Sequence, residues 1–144
     1  MKKVFKYTLI SMIFLVIFGF TYQFIISIID DINYPPFGKL VDVGGYRLHI
    51  NCMGTNKKGL PTVILDAGLG GFSLDWAQVQ PEVAKFIRVC SYDRAGYGWS
   101  DESPHPRTSK YIITELHELL MRSQEHAPFI MVGHSFGGIN ARLF

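Results

Sequence analysis

Phe129-Ile130-Met131-Val132-Gly133-His134-Ser135-Phe136-Gly137 runs from four apolar residues into a serine bracketed by two glycines. The apolar run has the length and character of a buried strand, and a helix-compatible stretch follows Gly137. The pattern G-x-S-x-G by itself is only moderately specific. Its position between a strand and a helix sharpens it, because a tight strand-to-helix turn would push the Ser135 Oγ into the open. Such a turn strains the serine backbone, and bulky side chains two residues before or after would collide, so glycine is expected at 133 and 137. The Phe136 amide, at the start of the following helix, would then face the place where an oxyanion forms.

Upstream of this turn the same alternation repeats. Pro61-Thr-Val-Ile-Leu-Asp66 reads as a strand covered on both faces and ends in Ala67-Gly-Leu-Gly-Gly71. A helix is expected from Ser73 as N-cap, with Trp76, Val79 and Val83 at helical spacing and Pro81 interrupting it. Phe86–Tyr92 reads as the next strand, and residues 93–107 as a loop rich in Gly, Ser and Pro. Thr108 is placed to cap a helix whose apolar stripe is Ile112, Leu116, Leu119 and Leu120. Before all of these, Lys39–Val43 and Tyr46–Cys52 form a hairpin around Gly44-Gly45, with Arg47, His49 and Asn51 on a polar face. A polar loop spans residues 54–59. Strand, helix, strand, helix, strand, helix in order predicts an α/β fold, mostly parallel, with helices on both faces of the sheet. In such sheets chemistry sits at the carboxyl ends of the strands: here residues 67–71, 93–100 and 133–137.

The N-terminus is of another kind. Tyr7 to Ile29 is 23 residues without a charge, flanked by Lys2, Lys3 and Lys6 before and Asp30 and Asp31 after. As a helix it would extend about 35 Å, enough for a hydrocarbon core. The positive-inside rule leaves the basic residues 1–6 in the cytoplasm, one transmembrane helix over 7–29, and the rest outside. A cleaved signal peptide is the alternative, but the residues around Gly19-Phe20-Thr21-Tyr22 are too bulky for a cleavage site. Residues 30–37, with Pro35-Pro36, read as a linker. The lipid bilayer is thus the first partner expected.

Composition narrows the rest. The chain is 48% apolar and 14% aromatic with 18% charged residues, which excludes a disordered or coiled-coil protein. Its net charge of +2 owes everything to the N-terminus, since residues 30–144 carry eleven basic against twelve acidic residues. No basic surface for nucleic acid follows. Two cysteines and five histidines show no zinc-ligand spacing, and Gly68–Gly71 lacks the Lys-Ser/Thr or second-strand acid of a phosphate or dinucleotide loop. No metal or organic cofactor is implied.

Over about residues 38–144 the sequence resembles the α/β-hydrolase superfamily. Besides Gly133–Gly137, Asp93-Arg-Ala-Gly-Tyr-Gly-Trp-Ser100 looks like its D-R-x-G-x-G-x-S loop after the fourth strand. Leu65-Asp-Ala-Gly-Leu-Gly-Gly71 resembles the loop after the third strand that supplies an oxyanion-hole amide. The resemblance implies Ser135 as nucleophile and the Leu69 and Phe136 backbone N–H groups as oxyanion donors. Many relatives have His-Gly where this chain has Ala67-Gly68, so bracing by that histidine is missing. Serine rather than aspartate at 135 favours the esterase, lipase and peptidase branches, with a small-molecule or peptide acyl substrate. Perhydrolases and carbon–carbon hydrolases share the serine turn.

In this superfamily the triad acid and histidine follow the serine, and residues 136–144 contain neither. They would have to come from sequence beyond Phe144. Upstream histidines make poor substitutes. His134 adjoins the serine, where neighbours on a tight turn point apart. His117 and His126 belong to a solvated helix region, His105 to an exposed loop, and His49 to the outer face of the hairpin. Asp93 and Arg94 are expected to brace the loop. Cys52 and Cys90 fall on neighbouring strands of the resembled fold, which leaves a disulfide outside the cell open, but two free buried thiols are expected, because bridges across adjacent strands need unusual geometry. The strand entering Gly133 would become an exposed apolar sheet edge, so the chain alone is expected to fold poorly and to turn over no substrate. A catalytically inert, membrane-tethered fragment is the rival reading.

Overall fold

The computed structural model describes residues 2–56 and 59–144 and divides into two units, one up to Pro35 and one from Pro36 to Phe144. Lys57 and Lys58, in the polar loop predicted over 54–59, lie outside the described residues.

The first unit is one helix, α1 (Lys2–Asn33). It contains the whole uncharged stretch and is long and apolar enough to cross a membrane. Thr8 and Thr21 return their hydroxyls to the carbonyls of Val4 and Ile17, at 3.0 and 2.8 Å, which satisfies them inside the helix itself. Phe14, Phe18 and Tyr22 stack along a neighbouring row. The helix overruns the predicted linker boundary: residues 30–33 are helical, and only the segment before Pro35 breaks, where proline bars the helical conformation of the preceding residue.

The second unit is a five-stranded sheet of order β1-β2-β4-β3-β5. The hairpin β1 (Lys39–Asp42) and β2 (Arg47–Met53) turns at Gly44-Gly45, whose φ values of 118° and 100° suit only glycine. Asp42 Oδ1 accepts both glycine amides. Strand β2 pairs antiparallel with β4 (Val89–Tyr92). From there the sheet is parallel, β4 to β3 (Thr62–Asp66) and β3 to β5 (Phe129–Gly133). The α/β architecture is as expected, with the parallel half bearing the three loop ends.

Period-2 alternation sends β3 residues to two cores. Ile64 joins Leu48, Ile50, Cys90 and Tyr92 under α3 (Ser109–Arg122), which contributes Leu116, Leu119 and Leu120 from its predicted stripe. Val63 and Leu65 pack with Val89 beneath Trp76, Val83 and Ala84 on the opposite face. Strand β5 is an edge. Ile130 and Val132 are exposed there at 45% and 38%.

Three local expectations are corrected. The helix from Ser73 is a 3-10 turn, Ser73–Trp76, followed by a separate short helix α2 (Gln80–Ala84). Pro81 is the reason: it has no N–H to continue an earlier helix but fits the first turn of a new one. Ser73 lies inside the 3-10 turn rather than capping it. Thr108 is the N-cap residue of α3, yet its hydroxyl makes no capping hydrogen bond. Finally, Cys52 and Cys90 are not free thiols but a disulfide. The β2–β4 register sets them directly opposite one another, with Cα atoms 4.0 Å apart, so the antiparallel pairing supplies the approach that sequence spacing does not reveal. Closing a loop of 38 residues, this bridge is expected to contribute about 2–4 kcal/mol. Urea unfolding of the Cys52→Ala/Cys90→Ala double variant measures it.

Candidate active site

At the end of β5 the backbone turns abruptly. Ser135 has φ 51° and ψ −113°, outside the regions open to ordinary L-residues. It is exposed and stands between β5 and the short helix α4 (Phe136–Ala141). The turn is closed by Gly137 N–H donating to the His134 carbonyl and Gly138 N–H to that of Ser135, each at 2.9 Å. Both flanking glycines are sterically required. A Cβ on Gly133 would overlap the Gly137 carbonyl group, and one on Gly137 would overlap the Asp66 carbonyl oxygen. Backbone atoms cannot give way as a flexible side chain would.

The loop after β3 lies against this turn. A Cβ on Gly68 would stand 3.0 Å from His134 Nδ1 and 3.7 Å from Ser135 Cβ. Among the described residues, neither the Leu69 nor the Phe136 amide donates to a protein acceptor. Leu69 is 75% exposed. The loop that carries Leu69 therefore lies beside the exposed Ser135 through Gly68, and Phe136 follows Ser135 directly in the chain.

What shapes the loop is Arg94, buried at 3% side-chain exposure. Its Nη1 donates to Asp66 Oδ1 at 2.6 Å and to the Ala67 carbonyl at 2.7 Å. Its Nη2 donates to the carbonyls of Gly68 and, at 3.2 Å, Gly71. The guanidinium also lies over the rings of Tyr97 and Phe136, at 5.3 and 5.6 Å. Asn140 Nδ2 donates to the other Asp66 oxygen at 2.9 Å, tying α4 to the same carboxylate. Arg94 thus braces more than its own loop, and Asn140, one turn into the helix, joins it with no local sequence signal.

His49 is also corrected. It does not face outward but is fully buried, its Nδ1 2.9 Å from Asp93 Oδ2 and 3.5 Å from Ser73 Oγ, with the Trp99 ring tilted against it at 4.9 Å. The 3-10 turn and the 93–100 loop cover the polar face of β2. Serine, histidine and aspartate meet here, yet they form no proton relay. Both oxygens address the same ring nitrogen, and Nε2 is buried with no partner among the described residues. Asp93 further accepts the Ser73 and Trp99 amides at 2.7 and 3.0 Å.

Burial pushes the Asp93 carboxyl up, but the hydrogen bonds from His49 and from those two amides outweigh it and leave it below its ordinary 3.8. A depressed carboxyl contributes stability that is complete above its unfolded pKa and is lost as pH falls through the lower folded value. The urea midpoint gap between the wild type and Asp93→Asn is accordingly expected to shrink as pH drops below 3.8. A gap that stays constant into strong acid would contradict it.

The other histidines lie where expected. His105, His117 and His126 are exposed, with His105 stacked on Tyr111 and His117 on Phe144. His134 packs beside the turn around a cavity of about 80 Å³ with Ala67, Asp75 and Trp76.

A mixed sheet with helices on both faces and a strained strand-to-helix serine turn at its edge is the layout of a hydrolase of α/β type. The sequence profile of the alpha/beta hydrolase family matches residues 63–143, and the chain belongs to that family. It is 34% identical over 106 residues to a probable transporter of Hormonema carpetanum, covering 72% of this chain and 15% of that protein. It is 29% identical over 127 residues to an uncharacterized vacuolar membrane protein of Saccharomyces cerevisiae strain YJM789, covering 78% and 20%. Among solved structures, the enol-lactonase from Burkholderia xenovorans LB400 superposes with a TM-score of 0.63 at 26% identity, over 71% of this chain and 39% of that one. The chain therefore spans well under half the length of the relatives it matches.

Proposed function

We propose that this chain is the N-terminal part of a membrane-anchored serine hydrolase that cleaves an ester, amide or related acyl bond. The observation that carries the reading is the exposed Ser135 at φ 51° in the strand-to-helix turn, with the loop bearing Leu69 packed beside it through Gly68. In the reaction the Ser135 Oγ attacks the acyl carbon while a general base takes its proton. The carbonyl oxygen becomes an oxyanion held by the two amides, each donor worth roughly 2.7–4 kcal/mol in the transition state. Collapse expels the alcohol or amine with a proton returned from the base, and water then hydrolyses the acyl-serine by the same route. An enol-lactonase as structural neighbour is compatible with ester-type substrates.

Within these residues His49 is sealed from solvent and no acid or histidine follows Ser135, so the reading requires a base and an orienting acid from outside residues 1–144. Residues 1–144 alone are expected to show no turnover. Residues 7–29 span the bilayer with the lysines inside and the hydrolase domain outside, a reading supported by the uncharged helix and the likeness to a vacuolar membrane protein. Fluorophosphonate labelling of the chain extended at its C-terminus tests the chemistry. Modification at Ser135 supports it, and an unlabelled, folded protein defeats it. Protease added outside sealed membranes should digest residues 36–144 and spare the N-terminus.

A further inference from the structure

Gln23 stands six residues inside the end of the uncharged stretch, about 9 Å from its boundary, and on the membrane reading its carboxamide enters the hydrocarbon region, where a polar group gains from a protein partner. Within α1 that group finds one partner: Nε2 lies 3.2 Å from Ser27 Oγ. Its Oε1 and second N–H have none among the described residues. One turn before it is Gly19, where a Cβ would meet nothing within 4 Å. Leu15, Val16, Gly19, Phe20 and Gln23 line an open groove of about 340 Å³ on that flank of the helix.

From this juxtaposition we infer that α1 pairs with α1 of a second copy of the chain, backbones closing at Gly19 and the two Gln23 carboxamides hydrogen-bonded to each other. The inference rests on the reading of residues 7–29 as a membrane span. A second copy fits because a carboxamide is complementary to itself: across a two-fold axis each Gln23 donates one N–H to the other's Oε1, filling the acceptor and the donor that Ser27 leaves empty. In hydrocarbon there is no hydrophobic drive between helices, so packing at a glycine and such polar pairs decide association. The Phe14–Phe18–Tyr22 row, already stacked on itself, offers neither.

The test uses the full chain, labelled at its N-terminus with donor or acceptor fluorophore and reconstituted in phosphatidylcholine vesicles. Energy transfer should rise with protein-to-lipid ratio and fall when unlabelled chain is added. Gln23→Leu is expected to weaken association roughly tenfold, and Gly19→Ile to a similar degree. Ile17→Ala, about 160° round the helix from Gly19, should leave it unchanged. Transfer in Gln23→Leu equal to the wild type would overturn the proposal, as association through the exposed β5 edge would produce. Extraction with alkaline carbonate separates the two readings. Chain that stays embedded but shows no transfer defeats the pairing alone, whereas chain released by carbonate defeats the membrane span and the pairing with it.

Discussion

Ser135→Ala, in the chain continued to include an acid and a histidine after Phe144, is expected to lower kcat by about a million-fold and to abolish fluorophosphonate labelling. The magnitude follows from the role. Removing the nucleophile of a serine–histidine–acid set costs nearly as much as removing the whole set, and only binding and the oxyanion donors remain. Substrate binding should change little, because the side chain lost is one hydroxyl on an exposed turn. Stability separates this from a folding defect. The backbone at Ser135 is held at φ 51° by the turn and not by the hydroxyl, which makes no capping bond. Alanine therefore inherits the same strain and should unfold at nearly the same urea concentration, while Ser135→Gly, relieved of the Cβ, should be the more stable of the two and equally inactive. Retained turnover in folded Ser135→Ala would remove Ser135 from the mechanism.

The second large effect is expected at Arg94. Its guanidinium neutralises Asp66, whose side chain is only 1% exposed, and holds three carbonyls of the 66–71 loop. Arg94→Met is expected to destabilise the domain by about 3–5 kcal/mol, since it strands a buried carboxylate with only neutral neighbours such as Asn140. Arg94→Lys should recover only part of this. An ammonium is a point donor on a flexible stem and cannot address Asp66 and the carbonyls of residues 67, 68 and 71 together. The loop bearing the Leu69 amide would lose its anchors, so labelling at Ser135 should slow even in the fraction that stays folded. Thermal or urea unfolding of both variants gives the stability term, and the labelling rate per folded molecule gives the other.

The buried centre around Arg94 shows how far the amino-acid order could be read. Asp93 and Arg94 stood out as a loop brace, and that role is realised. Asn140 carried no such signal: one polar residue in a short helix reads as surface until the fold sets it over Asp66. His49 departs from its sequence pattern for a related reason. Alternation along β2 separates two faces but does not say whether the polar one meets water. The 3-10 turn and the 93–100 loop come from residues 24 and more positions away, and they cover it with Ser73, Asp93 and Trp99.

Local chemistry was enough, from the residues alone, for the uncharged membrane-length helix, the buried strands, the hairpin at Gly44-Gly45 and the glycine–serine–glycine turn. Each follows from side-chain periodicity, from charge, or from the φ range and missing Cβ of a few glycines, properties that act within a dozen positions. Tertiary structure alone decided that Cys52 faces Cys90, that His49 is enclosed, and that one arginine organises the loop beside Ser135. Those outcomes depend on strand register and on which distant segment covers a given face, and they are set by packing between elements far apart in the chain.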